Sequence, residues 1–296
     1  MKTMELRPCN RRGTLAVAFT RTMFGMFVAL VITLISLGAH AQSPQDLADP
    51  TPPPTLGAAA EVAEPSATAG KTIYVTDKAG QLATVTLGTY AVHIIGSEGV
   101  VLTDIGFNPK DGQLYGVSYT NFYRVNRTTG KATLIGSLGI SDANALVFDG
   151  QGVAFTAAGN SAELYTINIK TGHVSPFAST TYFESAGDLT FYNGYLLLSG
   201  YLLPSFGQSA PSNLVLLNPT TGKFELYAPL KIANLLGLAC TGKDTLYGFA
   251  GTSVYQFLIT PTTGTPKEVT PVLLKNLAGK GLAQIWGAAY DGYFLY

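Results

Sequence analysis

A short turn returns through this chain at nearly constant intervals, and it limits the available folds more than any other feature. It reads Val125-Asn126-Arg127-Thr128-Thr129-Gly130, then Ile167-Asn168-Ile169-Lys170-Thr171-Gly172. It comes back as Leu217-Asn218-Pro219-Thr220-Thr221-Gly222 and as Ile259-Thr260-Pro261-Thr262-Thr263-Gly264. A degenerate first copy ends at Thr86-Leu87-Gly88, so successive glycines lie 42, 42, 50 and 42 residues apart. Asn or Thr opens such a turn through its side chain, and glycine supplies the positive φ that closes it.

A second marker precedes each turn. Ile105-Gly106-Phe107 runs through Lys110-Asp111-Gly112 into Leu114-Tyr115-Gly116-Val117. Leu146-Val147-Phe148 runs through Asp149-Gly150 into Val153-Ala154-Phe155, and Leu189-Thr190-Phe191 through Asn193-Gly194 into Tyr195. Leu238-Ala239-Cys240 and Ala288-Ala289-Tyr290 lead into Gly242-Lys243-Asp244 and Asp291-Gly292. Asp-Gly or Asn-Gly between short apolar runs signals a β-hairpin. Each unit therefore reads as four short antiparallel strands.

Four strands every 40 to 50 residues predicts an all-β chain, a five-bladed β-propeller with blades of four antiparallel strands. One such blade cannot bury both of its faces and needs neighbours. A β-sandwich or an irregular all-β domain is the alternative. The first unit lacks an inner strand, and Ile285 to Ala289 looks like the missing one. The ring is thus expected to close by pairing of the N- and C-terminal segments. Thr72 to Thr76 would be the second strand of that blade, with Tyr293 to Tyr296 a competitor for the same place.

The N-terminus reads as an address. Lys2, Arg7, Arg11, Arg12 and Arg21 precede an apolar stretch, Met23 to Leu37, and then Ala39-His40-Ala41. This is the pattern of a secretory signal peptide over residues 1–41. The apolar stretch is short against the roughly 20 residues of a membrane span. Export to a periplasmic or extracellular location follows, or membrane anchoring if the segment is retained as a signal-anchor. Residues 42–70 read as a Pro/Ala-rich linker with six prolines and four acidic residues but no Lys or Arg. The propeller occupies 71–296, with no membrane span expected in the mature chain, and a monomer is expected.

Composition removes several classes. With 47% hydrophobic and 12% charged residues the chain is not a disordered one. A formal net charge of zero argues against nucleic acid as a partner. Two cysteines exclude a disulfide-dense scaffold and a four-cysteine metal site, and Cys9 departs with the leader. Cys240 ends an apolar run and reads as a buried thiol. P-loop, dinucleotide, zinc-protease, EF-hand and nucleophile-elbow motifs are absent from the sequence.

The turns, notably Asn218-Pro219-Thr220-Thr221-Gly222-Lys223, resemble those of secreted bacterial propeller proteins of the broad quinoprotein-like and YVTN-like class, over residues 71–296. That resemblance implies a propeller and assigns no function, because the class holds enzymes, scaffolds and proteins without a known role. No residue set that would bind a quinone cofactor can be matched here, and those enzymes use more blades.

Propellers often bind at the mouth of the central channel. Residues leading into the inner strands include Asp104, Asp142, Asn144, Asp188, Asn234 and Gln284. Loops between second and third strands hold Tyr119, Phe122 and Tyr201, and Phe206 lies within the Leu202 to Ser212 insertion. Flat aromatic faces with a polar rim suit a glycan or a protein segment. The expected function is non-catalytic binding or scaffolding, with no cofactor. A calcium ion at Asp104, Asp142 and Asp188 is an alternative, since oxygen ligands suit that cation. An alternative function is a carbohydrate-active hydrolase or lyase with Asp104 and Asp188 as the carboxylate pair in the channel. The competing reading of these aspartates is that they cap turns through backbone N–H groups.

Overall fold

Inner strands carry almost continuous apolar residues, whereas outer strands alternate with solvent, and this gradient orders the four strands of every sheet. The computed structural model describes residues 70–203, 211–242, 245–260 and 266–292. They all belong to the second of the chain's two units, Leu47–Tyr296. The leader, most of the linker, Phe206, the turn ending at Gly264 and Tyr293 to Tyr296 lie outside the described residues.

The strands form five antiparallel sheets of four. The first contains β1 (Thr72–Asp77), β2 (Gln81–Thr86), β3 (Ala91–Ser97) and, from the far end of the chain, β20 (Ile285–Tyr290). The second runs β4 (Asp104–Asn108), β5 (Gln113–Val117), β6 (Asn121–Val125) and β7 (Ala132–Ser137). The third runs β8 (Ala143–Phe148), β9 (Ala154–Ala158), β10 (Glu163–Ile167) and β11 (Val174–Ser179). The fourth contains β12 (Phe183–Tyr192), β13 (Tyr195–Leu202), β14 (Pro211–Leu217) and β15 (Phe224–Ala233). The fifth contains β16 (Leu235–Gly242), β17 (Thr245–Ala250), β18 (Ser253–Ile259) and β19 (Val269–Asn276).

This is the five-bladed propeller, and β20 pairs with β1 through Ile73↔Tyr290, Tyr74↔Ala289 and Val75↔Ala288. The ring is closed by the two ends of the propeller segment. Buried apolar side chains gather in five clusters, one between each pair of neighbouring sheets. Between the first and fifth blades, for example, Ile73, Val75 and Ala288 meet Tyr247, Phe249 and Val254. Each sheet is thus buried only because it has a neighbour on either side.

The repeated turns have the chemistry that their sequence implies. Asn126 Oδ1 accepts the amides of Thr128 at 2.9 Å and Thr129 at 3.0 Å, and the Gly130 amide reaches the Asn126 carbonyl at 2.8 Å. Asn218 accepts from Thr220 and Thr221 at 2.9 Å. Gly88, Gly130, Gly172 and Gly222 all have positive φ, between 68° and 85°. The turns also lock neighbouring blades together, since Gly172 packs against Gly136 on the outer strand of the blade before it.

Hairpin turns and repeated Thr-Gly turns close strand pairs at one end, and the loops leading into inner strands close them at the other. The second end is the upper face of the ring, and the first is the lower face.

Candidate functional site

Five equivalent residues, one per inner strand, meet at the ring axis: Asp104, Ala145, Asp188, Gly237 and Gly287. The inner edge of each sheet has no further strand to pair with, so the next amide on every inner strand points at the axis without a ladder partner. Two aspartates take up all five. Asp104 accepts from Ile105 at 2.7 Å through Oδ1 and from Leu146, in the next blade, at 2.5 Å through Oδ2. Asp188 Oδ2 accepts from Leu238 at 2.5 Å and Ala288 at 3.2 Å, and Asp188 also bonds the Leu189 amide. The remaining positions must be small. A side chain on Gly287 would run into the carboxyl and backbone of Asp104.

Both carboxyls are fully buried. Burial pushes both well above the ordinary carboxylate range, and for Asp104 the nearby Asp188 adds to the rise. Asp188 holds three amides against two for Asp104, and these donors oppose the rise more strongly at Asp188. The two carboxyls also hydrogen-bond each other through their side chains. Asp104 and Asp188 lie together at the axis, and backbone amides occupy their carboxyls.

On the upper face the residues around the axis interlock from blade to blade. Thr103 Oγ1 donates to the Ala143 carbonyl at 2.7 Å. Asn144 Nδ2 donates to the Ser185 carbonyl at 3.1 Å. Tyr201 Oη donates to Asn234 Oδ1 at 3.0 Å, across the boundary between fourth and fifth blades. Burial pushes the Tyr201 hydroxyl up to about 12, with the Glu184 charge a smaller contribution in the same direction. Glu184 itself is raised by burial. Glu184 Oε2, Ser185 Oγ and Asn144 Oδ1 are buried polar atoms with no hydrogen-bond partner among the described residues.

Asp142, in a left-handed conformation at φ 57°, accepts from Asn160 Nδ2. Its charge, after burial, helps push the Tyr119 hydroxyl up to about 12. Tyr119 meets Trp286 edge-on at 6.2 Å, and Gln284 Oε1 accepts from Trp286 Nε1 at 3.4 Å. Thus Asn144, Tyr201 and Asn234 fall on one side of the mouth with Glu184 and Ser185. Asp142, Tyr119 and Gln284 fall around Trp286 and Asn160. Phe122 is not at the mouth. It is fully buried and stacks on Tyr115 at 5.3 Å, inside the interface between second and third blades.

Glu184, Ser185 and Trp286 were not among the sequence candidates. A signal for Glu184 was available, because apart from the axial aspartates it is the one charged side chain within an inner strand. Among the described residues no group of three or more His, Cys, Asp or Glu could hold a metal ion, so Asp104, Asp142 and Asp188 do not converge as such a group. Cys240 is buried, its thiol donating to the Gly242 carbonyl at 3.0 Å. No helix among the described residues is long and apolar enough to cross a membrane.

No curated protein matches the chain. Among solved structures it is similar to a chain in the crystal structure of a nidogen/laminin complex, at 12% identity and a TM-score of 0.45. That likeness covers 74% of this chain and 80% of the other. Residues 72–281 match a repeat of unknown function, a span that takes in strands of all five blades, and the chain therefore belongs to the DUF6923 family.

Proposed function

We propose that the protein is an exported, non-catalytic binding or scaffolding propeller that recognises a glycan or a protein segment on its upper face. The observation that carries this reading is the state of the axial carboxyls. A glycosidase needs two carboxyl groups that reach the substrate, one as acid and one as base or nucleophile. Asp104 and Asp188 instead hold five blade amides in the interior, with no exposed surface. Their chemistry is that of a hub.

The ligand-facing candidates are Asn144, Glu184, Ser185, Tyr201 and Asn234. Their support is the set of buried oxygens on Asn144, Glu184 and Ser185 that no protein donor meets. Buried polar groups are almost always hydrogen-bonded, and a ligand with several hydroxyl or amide groups would complete them. Export rests on the basic, apolar and Ala39-His40-Ala41 pattern of the leader.

The test is a glycan-array and peptide-array screen of the full secreted protein, followed by Asn144→Ala and Glu184→Gln in the same format. Binding that is lost in both variants while the melting temperature holds supports the proposal. Polysaccharide hydrolysis by the native protein that disappears in Asp104→Asn would overturn it in favour of an enzyme.

A further inference from the structure

The fourth blade departs from the others on the lower face, where the hairpin turns lie. In the second and third blades the residue after the inner-strand Phe is Asn108 or Asp149, and each caps its turn. Asn108 Oδ1 accepts from Lys110 at 2.9 Å, and Asp149 Oδ1 from Gln151 and Val153 at 2.9 and 2.8 Å. The fourth blade closes the same hairpin with two residues, Asn193 at φ 50° and Gly194 at φ 78°. Both are left-handed, as a type I′ turn demands, and such a turn needs no side-chain cap. The position is released, and a tyrosine occupies it. Tyr192 pairs across the turn with Tyr195.

These two rings open a groove of about 460 Å³, completed by Asn193, Leu216, Glu225, Tyr227 and, from the fifth blade, Lys267. Tyr192 and Tyr227 are buried, with ring centres 5.9 Å apart and planes tilted by 60°. Tyr195 is 40% exposed at the rim. The Lys267 amide donates to the Tyr227 carbonyl at 2.5 Å and fixes the far wall.

We propose that this groove is a second binding site, for a short neutral saccharide. Its volume falls in the range of small-ligand sites, about 300–1,000 Å³. Tyr195 offers an exposed ring to the C–H side of a sugar, above a floor made by Tyr192 and Tyr227. Glu225 and Lys267 bring one charge of each sign, so the site suits neither an anionic nor a cationic ligand. A protein segment needs a dry apolar pocket for an anchor side chain. Here Leu216 is the one aliphatic lining residue among the described residues, and the groove is open. The site is independent of the upper-face reading and lies at the other end of the strands.

The experiment is calorimetric titration of the full chain with maltotetraose, cellotetraose, chitotetraose and xylotetraose, alongside a proline-rich decapeptide. The expected result is saturable binding of at least one saccharide. Tyr195→Ala is then expected to weaken it about tenfold, the loss of one stacked ring with its buried area, at an unchanged melting temperature. Glu225→Gln is expected to weaken it as well, and Lys110→Ala, at the exposed hairpin turn of the second blade, to leave it unchanged. Absence of binding by all four saccharides overturns the proposal. So does saccharide binding that is indifferent to Tyr195→Ala, and so does uptake of the peptide alone.

Discussion

The amide of Ala288 lies 3.2 Å from Asp188 Oδ2, one hundred residues away along the chain and two blades away around the ring. The same oxygen holds Leu238 in the intervening blade at 2.5 Å. One carboxyl therefore fastens the strand that closes the propeller to blades it does not pair with. Asp188→Ala leaves these buried amides without an acceptor, at about 1–3 kcal/mol for each group left unpaired. Each kcal/mol moves the midpoint of a domain of this size by about 2–4 °C, so for the Leu238 and Ala288 amides together a fall of roughly 4–24 °C is expected. Asp188→Asn keeps a carbonyl oxygen for the amides and should lose much less. Thermal unfolding of the two variants side by side checks the difference. Equal and small losses would show that the axial bonds do not hold the ring.

The buried carboxyls also set an unusual pH dependence. Burial raises Glu98 from 4.5 to about 8, against a smaller opposing effect from the Thr76 hydroxyl, which donates to it at 2.9 Å. Asp104, Asp188 and Glu184 are raised too. Each of these groups keeps its proton in the folded protein at a pH where the unfolded chain has lost it. The folded state then binds more protons, and stability must fall as pH rises between the two values. For Glu98 the window runs from 4.5 to about 8. The melting temperature is therefore expected to be higher at pH 5 than at pH 8, and Glu98→Gln should flatten the slope. A melting temperature that climbs from pH 5 to pH 8 would contradict the protonated state of these groups.

The architecture was legible in the sequence because propeller turns are local. Asn126, Asn168 and Asn218 cap the amides two residues on, and the glycines that follow sit at positive φ, so short motifs specify them. The terminal closure was legible for a related reason, since a unit without an inner strand implies that one arrives from elsewhere. The site was less legible. Asp104 and Asp188 were recognisable as equivalent residues of separate blades, but the five amides that occupy them come from across the ring. Phe122 reads as a loop aromatic, yet its place in β6 turns it onto Tyr115 in the core. The groove around Tyr192 needs Lys267 from the next blade, a contact that no spacing within one repeat encodes.

The lock between neighbouring blades offers a sharper test of the repeat. Gly172 has φ 80°, and a Cβ there would meet the Gly136 carbonyl carbon and oxygen at 2.9 Å. Gly172→Ala meets two penalties, the left-handed backbone at about 1–2 kcal/mol and the displaced outer strand. Gly150 lies on a hairpin turn and a Cβ there meets nothing within 4 Å. Gly150→Ala should therefore be nearly neutral, while Gly172→Ala lowers the urea midpoint. Two equal responses would show that the turn does not bear on its neighbour.

Arg127 makes the reverse case, a conspicuous contact that contributes little. Its guanidinium lies 4.8 Å from the Phe107 ring centre and 5.2 Å from that of Tyr74, and it bonds Asp291 at 2.6 Å. It thereby bridges the first and second blades beside the closing strand. Yet the two charged side chains are 39% and 38% exposed. Solvent screens such a pair to about 0–1 kcal/mol, and an exposed cation–π contact adds about 0.5–1 kcal/mol. Arg127→Ala is expected to lower the midpoint by only a few degrees, well short of Asp188→Ala, and high salt should remove part of the difference. A loss matching that of Asp188→Ala would move the seat of ring closure from the axis to the rim.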